Sequence, residues 1–145
     1  METIEKRSCI ILFIISFILF MLIPTVGYSE QYEVTFVWEH SGRGMEKFAF
    51  SPARTNGGPW IGSHDILISD LTSSEVDGNT RWTGKITVDV EDRNDIAWWI
   101  CYAETSYGTQ SAKSEPAESS FAPISPKALK RIMLIDKRKV LVSFI

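Results

Sequence analysis

The chain has 145 residues, 44% of them hydrophobic and 12% aromatic, with 15 Lys/Arg against 18 Asp/Glu for a net charge of −3. The length suits one domain able to bury a modest core without covalent staples. The charge is uneven: residues 30–126 carry 7 basic and 15 acidic side chains, residues 127–145 carry 6 basic and 1 acidic. An acidic body argues against nucleic acid as a partner, because that recognition needs a basic footprint.

A short charged start, Met1-Glu2-Thr3-Ile4-Glu5-Lys6-Arg7, runs into an apolar stretch from Cys9 to Val26, 18 residues long, interrupted by Pro24. Gly27-Tyr28-Ser29 follows. A basic start, an apolar run and small residues at −3 and −1 are the layout of a secretory signal peptide, with cleavage expected after Ser29. The competing reading is an uncut anchor over residues 9–26, since a spanning helix needs roughly 17–25 apolar residues. The cut is favoured because the Gly-x-Ser site lies just past the run. Either way the body is exported, N-terminus inside and domain outside if the anchor stays.

Cleavage leaves 116 residues and Cys101 as their sole cysteine. No intrachain disulfide can form despite an oxidising destination, so Cys101 is expected as a small buried hydrophobe. Glu5-Lys6-Arg7-Ser8 stand before Cys9, where a bacterial lipoprotein signal has small and aliphatic residues.

From Glu30 onward the pattern predicts an all-β body. Tyr32–Trp38 alternates, with Val34, Phe36 and Trp38 on one face. Glu46–Phe50 is a short strand, Ala53–Pro59 a glycine-rich turn, His64–Ser69 a strand and Asp77-Gly78-Asn79 a turn. Arg81–Val90 is a strand with a bulge expected at Gly84. After an acidic loop, Ala97–Thr105 is the strongest strand, with Trp99, Cys101 and Ala103 inward. Ser114–Phe121 is an edge strand interrupted by Pro116. A proline connector, Ala122–Pro126, leads to Leu129–Ile135 and Lys139–Ile145, which read as a basic C-terminal hairpin. Its charges are expected to be solvated, or else to meet an acidic surface such as lipid or the body itself. About seven short strands without an amphipathic helix predict a sandwich or barrel.

Three segments carry a family resemblance. Val34-Thr35-Phe36-Val37-Trp38 resembles an early strand ending in a core tryptophan. Phe48-Ala49-Phe50, ten residues on, resembles an aromatic strand C. Trp99 to Gly108, followed by Ser111 and Ser114, resembles strand F, a glycine turn and a serine-bearing start of strand G. Over residues 32–122 the chain therefore resembles the fibronectin type III family of immunoglobulin-like sandwiches. The strand F tyrosine of that family would fall near Ala97, where Trp98 or Trp99 stands in, and residues 54–80 are longer than the family's middle strands. The resemblance implies a fold and a habit of mediating contacts, but no activity. The expected organisation is 1–29 leader or anchor, 30–122 sandwich and 123–145 connector and hairpin.

Chemistry-bearing residues are sparse. His40 and His64 are the two histidines. Ser63-His64-Asp65 cannot form a triad, because neighbours on a strand point to opposite faces. Asp89, Glu91, Asp92 and Asp95 are a weak calcium candidate: oxygen ligands alternate, but Arg93 sits among them and no loop glycine is present. No cofactor, zinc site or enzymatic activity is expected.

The aromatic residues are the richest signal. Alternation turns Trp98, Ile100 and Tyr102 away from the core, and Trp60 lies in a glycine-rich loop. Either the hairpin or the long middle loop covers this stripe, or Trp60, Trp98, Ile100 and Tyr102 form a contact surface. The expected function is a non-catalytic binding or structural module for protein contacts at or outside the cell envelope. The alternatives are a carbohydrate-binding sandwich using the exposed tryptophans and a membrane-tethered envelope component.

Overall fold

In the computed structural model, residues 2–21, 27, 29–122 and 138–145 are described. Helix α1 covers Glu2–Met21, and every residue from Lys6 to Met21 is exposed. Among the described residues no helix is long and apolar enough to cross a membrane. The predicted anchor also includes residues 22–26, which lie outside the described residues.

The rest is mostly β. The strands are β1 (Glu30–Glu39), β2 (Lys47–Ala53), β3 (His64–Leu67), β4 (Thr72–Val76), β5 (Asn79–Val90), β6 (Trp98–Glu104), β7 (Ala117–Phe121) and β8 (Arg138–Ser143). They join into a single curled, mixed sheet in the order β3-β2-β6-β7-β8-β1-β5-β4. Strand β7 makes the join. Ala117 and Glu118 pair with Trp99 and Trp98 of β6, whereas Ser119–Phe121 pair with Val142–Val140 of β8.

Alternation dictates the core. In β1, Tyr32, Val34, Phe36 and Trp38 are all buried, while the residues between them remain partly accessible. The curl brings this row against β2 and β6. Phe36 stacks on Phe50 at 4.0 Å and meets Trp99 edge-on at 4.9 Å, and Trp38 meets Phe48 at 4.9 Å. These offset and edge geometries add to the burial of the rings. Trp99 is fully buried, and its Nε1 donates to the Ile96 carbonyl and the Ser119 hydroxyl, both at 3.1 Å. Cys101 and Ala103 are buried on the same strand.

Several local expectations change. Gly84 is not a bulge: the β1–β5 register runs unbroken from Glu30↔Val90 to Glu39↔Arg81, with Phe36 opposite Gly84. A Cβ there would lie 2.5 Å from Leu71 Cδ2 and 2.9 Å from Ile66 Cδ1, so this glycine answers a close approach. The strand expected over His64–Ser69 stops at Leu67 and turns into a 3-10 helix, Ile68–Asp70. Strand β4 has no apolar alternation, because all but one of its residues are exposed at the sheet's edge. The acidic loop contains a 3-10 helix, Arg93–Ile96, whose buried Ile96 packs into the core.

Residues 111–116 precede β7 without forming a regular strand. Ser111 and Ser114 each donate a backbone N–H to β6, at Ala103 and Cys101, and their hydroxyls accept the N–H of those same residues at 2.9 Å. Two serine side chains thus replace ladder acceptors that a regular strand would supply.

The C-terminal strand is a larger correction. Arg138–Ser143 does form a strand, but it lies inside the sheet, parallel to β1 from Tyr32↔Arg138 to Val37↔Ser143 and antiparallel to β7. Val140 and Val142 are buried in the common core. Leu129–Ile135, the other expected hairpin arm, lies outside the described residues. Arg138 bonds to Glu30 at 2.7 Å, so one basic charge of the tail is spent on the body.

Candidate functional site

Two surfaces warrant attention, and the sheet register positions both. The first is the outer face of β3-β2-β6. Opposite the core positions Phe48, Phe50, Trp99 and Cys101, the register sets Lys47 beside Glu104, Ala49 beside Tyr102, Ser51 beside Ile100 and Ala53 beside Trp98. Small residues on β2 thus lie next to large ones on β6.

Ile100 does not belong to an exposed stripe. It is only 3% exposed, flanked on its own strand by Trp98 and Tyr102 and opposite buried Ser51. Trp98 and Tyr102 are half-buried. Alternation sends Ile100 away from Trp99, yet Ile100 is buried there together with Ala49, Ser51 and Ala53 of β2. Trp60 is also half-buried and sits in the 54–63 loop. That loop is tied by Thr55 Oγ1 donating to the Gly58 carbonyl at 2.6 Å and by the Ile61 N–H donating to the Pro52 carbonyl at 2.9 Å. Pro52 directs its ring nitrogen to that same side, beyond the end of β3, where no ladder bond is lost. Among the described residues neither Trp60 nor Trp98 has a ring-to-ring contact.

Ion pairs rim this face. Lys47 bridges Asp65 at 2.6 Å and Glu104 at 3.3 Å. The hydrogen bond from Lys47 holds the Asp65 carboxyl below its ordinary range, and that same bond raises the Lys47 ammonium. At the other end Arg54 pairs with Asp95 at 2.6 Å and Asp92 at 3.3 Å. The calcium candidates therefore divide. Asp92 accepts the Asn94 N–H as a helix cap and shares Arg54 with Asp95, while Asp89 projects from β5 opposite Gln31. Among the described residues no group of three or more His, Cys, Asp or Glu is gathered in metal-binding geometry.

The second surface is a cavity of about 660 Å³ at the end of β1 and β5, lined by Glu39, His40, Ser41, Arg43, Glu75, Gly78, Asn79 and Thr80. The 40–44 loop and the 77–79 turn are far apart in sequence, and the pairing of Glu39 with Arg81 brings them together. The His40 N–H donates to the Thr80 carbonyl at 3.1 Å, and Trp82 Nε1 donates to the His40 carbonyl at 2.8 Å. Gly42 has φ +69°, and a Cβ there would collide with the Trp82 ring, so the loop lies flat on that indole.

Of the lining side chains, Glu39 accepts from Asn79 at 3.4 Å and from Arg81, which lies outside the lining, at 2.9 Å, and the Thr80 hydroxyl donates to Glu75 at 2.7 Å. His40 Nδ1 accepts the Gly42 N–H at 2.9 Å, which leaves the proton on Nε2. Its ring packs edge-on against Phe48, and burial lowers its pKa. The strand pattern of the sequence marks these residues only as turn and loop. The available signal was a pair of glycine-bearing turns, each next to polar residues.

His64 lies on the core side with its ring 5.8 Å from Trp99, whereas Asp65 faces outward to Lys47. Alternation thus separates the two, as the triad argument requires. Comparison with known proteins finds no matching family model, no matching curated protein and no matching solved structure.

Proposed function

We propose that this chain is exported and acts as a non-catalytic binding module, engaging a protein partner at or outside the cell envelope through the outer face of β3-β2-β6. The observation that carries the reading is the composition of that face. Its accessible centre is the half-buried pair Trp98 and Tyr102, which lie beside the buried Ala53 and Ala49 and are ringed by the Lys47 and Arg54 ion pairs. An aromatic centre with a charged rim is the anatomy of a protein contact. The rings of Trp98 and Trp60 are partly accessible and, among the described residues, stack on no other ring.

Two further features support the reading. Strand β1 starts at Glu30, directly after the expected cut, so cleavage after Ser29 removes no strand residue. The neighbours β4-β5-β1 and β3-β2-β6-β7 agree with the two halves of an immunoglobulin-like sandwich, as the fibronectin type III resemblance implies. Parallel β8 is an addition to that antiparallel plan.

The test uses the protein expressed with its own leader. A photo-crosslinker at Trp98 should trap an extracytoplasmic protein, and one at Lys85, exposed on the opposite half of the sheet, should not. Intact mass should begin at Glu30. Equal labelling from both positions, or none from Trp98, refutes the contact face. A full-length mass in the membrane fraction selects the tethered reading instead.

A further inference from the structure

We propose that the cavity at the end of β1 and β5 is a binding site for a neutral, polyhydroxylated ligand, a sugar residue. Its position differs from the aromatic face, and the inference does not depend on the protein-contact reading.

The lining excludes an apolar ligand. Glu39, His40, Ser41, Arg43, Glu75 and Asn79 supply hydrogen-bonding groups, and among the described residues no aliphatic side chain lines the cavity. Its volume of about 660 Å³ falls within the range of small-molecule sites. Donors are available: the Ser41 hydroxyl, His40 Nε2–H, the Asn79 amide and the Arg43 guanidinium, which has no ion pair among the described residues. Acceptors are available too. Glu39 and Glu75 each bond to neighbours, yet a carboxylate has about four lone-pair sites.

Charge selects among polar ligands. Among the lining residues Arg43 faces Glu39 and Glu75, and Arg81, outside the lining, pairs with Glu39, so no large excess of either charge is left to attract an ion. Carboxylate, guanidinium and amide groups are planar and present paired sites, which match adjacent hydroxyls on a ring. The walls are also set in advance. The Glu39↔Arg81 register, the His40–Thr80 backbone bond and the Trp82–His40 bond hold both loops before any ligand arrives. Preorganisation of this kind lowers the ordering cost of binding.

The experiment is titration of the full chain with the methyl glycosides of glucose, galactose, mannose and N-acetylglucosamine, followed by calorimetry and by amide NMR shifts. Methyl glucuronide and glycine serve as the anionic and zwitterionic probes. At least one neutral glycoside should bind and shift the amides of Ser41, Arg43 and Asn79. Arg43→Ala and Asn79→Ala should each weaken it by about tenfold, the loss of one good polar contact. Both positions are exposed, and native tryptophan fluorescence checks that each variant folds. Trp60→Ala and Trp98→Ala should leave this binding unchanged. The proposal is overturned if no neutral glycoside binds, if only glucuronide or glycine binds, or if Trp60→Ala abolishes binding that Arg43→Ala leaves intact.

Discussion

Gly84→Ala tests whether the packing between β5 and the 64–71 segment is as tight as the structure implies. The glycine has no positive φ, so alanine meets no backbone strain, and the whole cost comes from its new methyl group. That methyl would lie 2.5 Å from Leu71 Cδ2, 2.9 Å from Ile66 Cδ1 and 3.4 Å from Trp38 Cη2. Ile66 and Trp38 are buried and cannot retreat far, whereas Leu71 is partly exposed and can turn outward. Overpacking of this kind costs about 1–3 kcal/mol. Replacing glycine restricts the unfolded chain and returns about 0.4–1 kcal/mol. The net expectation is a loss of about 1–2 kcal/mol, a fall in Tm of about 4–8 °C for a domain of this size.

Urea titration followed by tryptophan fluorescence measures this loss directly. The decisive comparison is the same substitution in a Leu71→Ala background. With the 2.5 Å contact gone, Gly84→Ala should cost about half as much, since sites in contact are not additive. A neutral or stabilising Gly84→Ala, or an unchanged cost in the Leu71→Ala background, would refute the packing argument.

Other outcomes follow from burial and pairing. Val142→Ala, at a fully buried position of β8, should cost about 2 kcal/mol, while Leu141→Ala, 47% exposed on the same strand, should cost less than about 0.5 kcal/mol; equal small effects would mean that β8 is not part of the core. His40 and His64 both have pKa values lowered by burial, so the unfolded chain takes up protons that the folded chain refuses. Stability should therefore fall as pH drops below the ordinary histidine value of about 6.5, with the slope ending below the folded pKa values. His40→Asn with His64→Phe should reduce the Tm change between pH 7.5 and 5.5, because Asp65, held low by Lys47, gives up its contribution only in stronger acid. Burial pushes the Cys101 thiol up to about 12, so a Cys9→Ser chain should resist thiol reagents at neutral pH until denatured. Modification of the folded Cys9→Ser chain at the rate of a free thiol would contradict that burial.

How much of the body could be read in the residues varied with exposure. Strand β1 could be read outright, because Val34, Phe36 and Trp38 face one core and their neighbours face solvent. Strand β6 could be read as a strand, but Ile100 could not be read as buried. It lies opposite buried Ser51 of β2, and only pairing shows that Ser51 is the neighbour. Strand β4 was invisible because an exposed edge strand has no apolar face to repeat. Gly84 read as a bulge because a glycine in a strand has several causes, and close approach of Leu71 and Ile66 is a tertiary fact.

The residues by themselves determined the β character of the body and its main inward row. Those features depend on composition and on a period of two along one strand. The tertiary structure alone decided that Arg138–Ser143 enters the sheet beside β1, about a hundred residues earlier in the chain. It also decided that the 40–44 loop and the 77–79 turn share one cavity, through the Glu39↔Arg81 pairing. Pairing between remote strands depends on which partner's edge and face complement each other, and no local pattern carries that information.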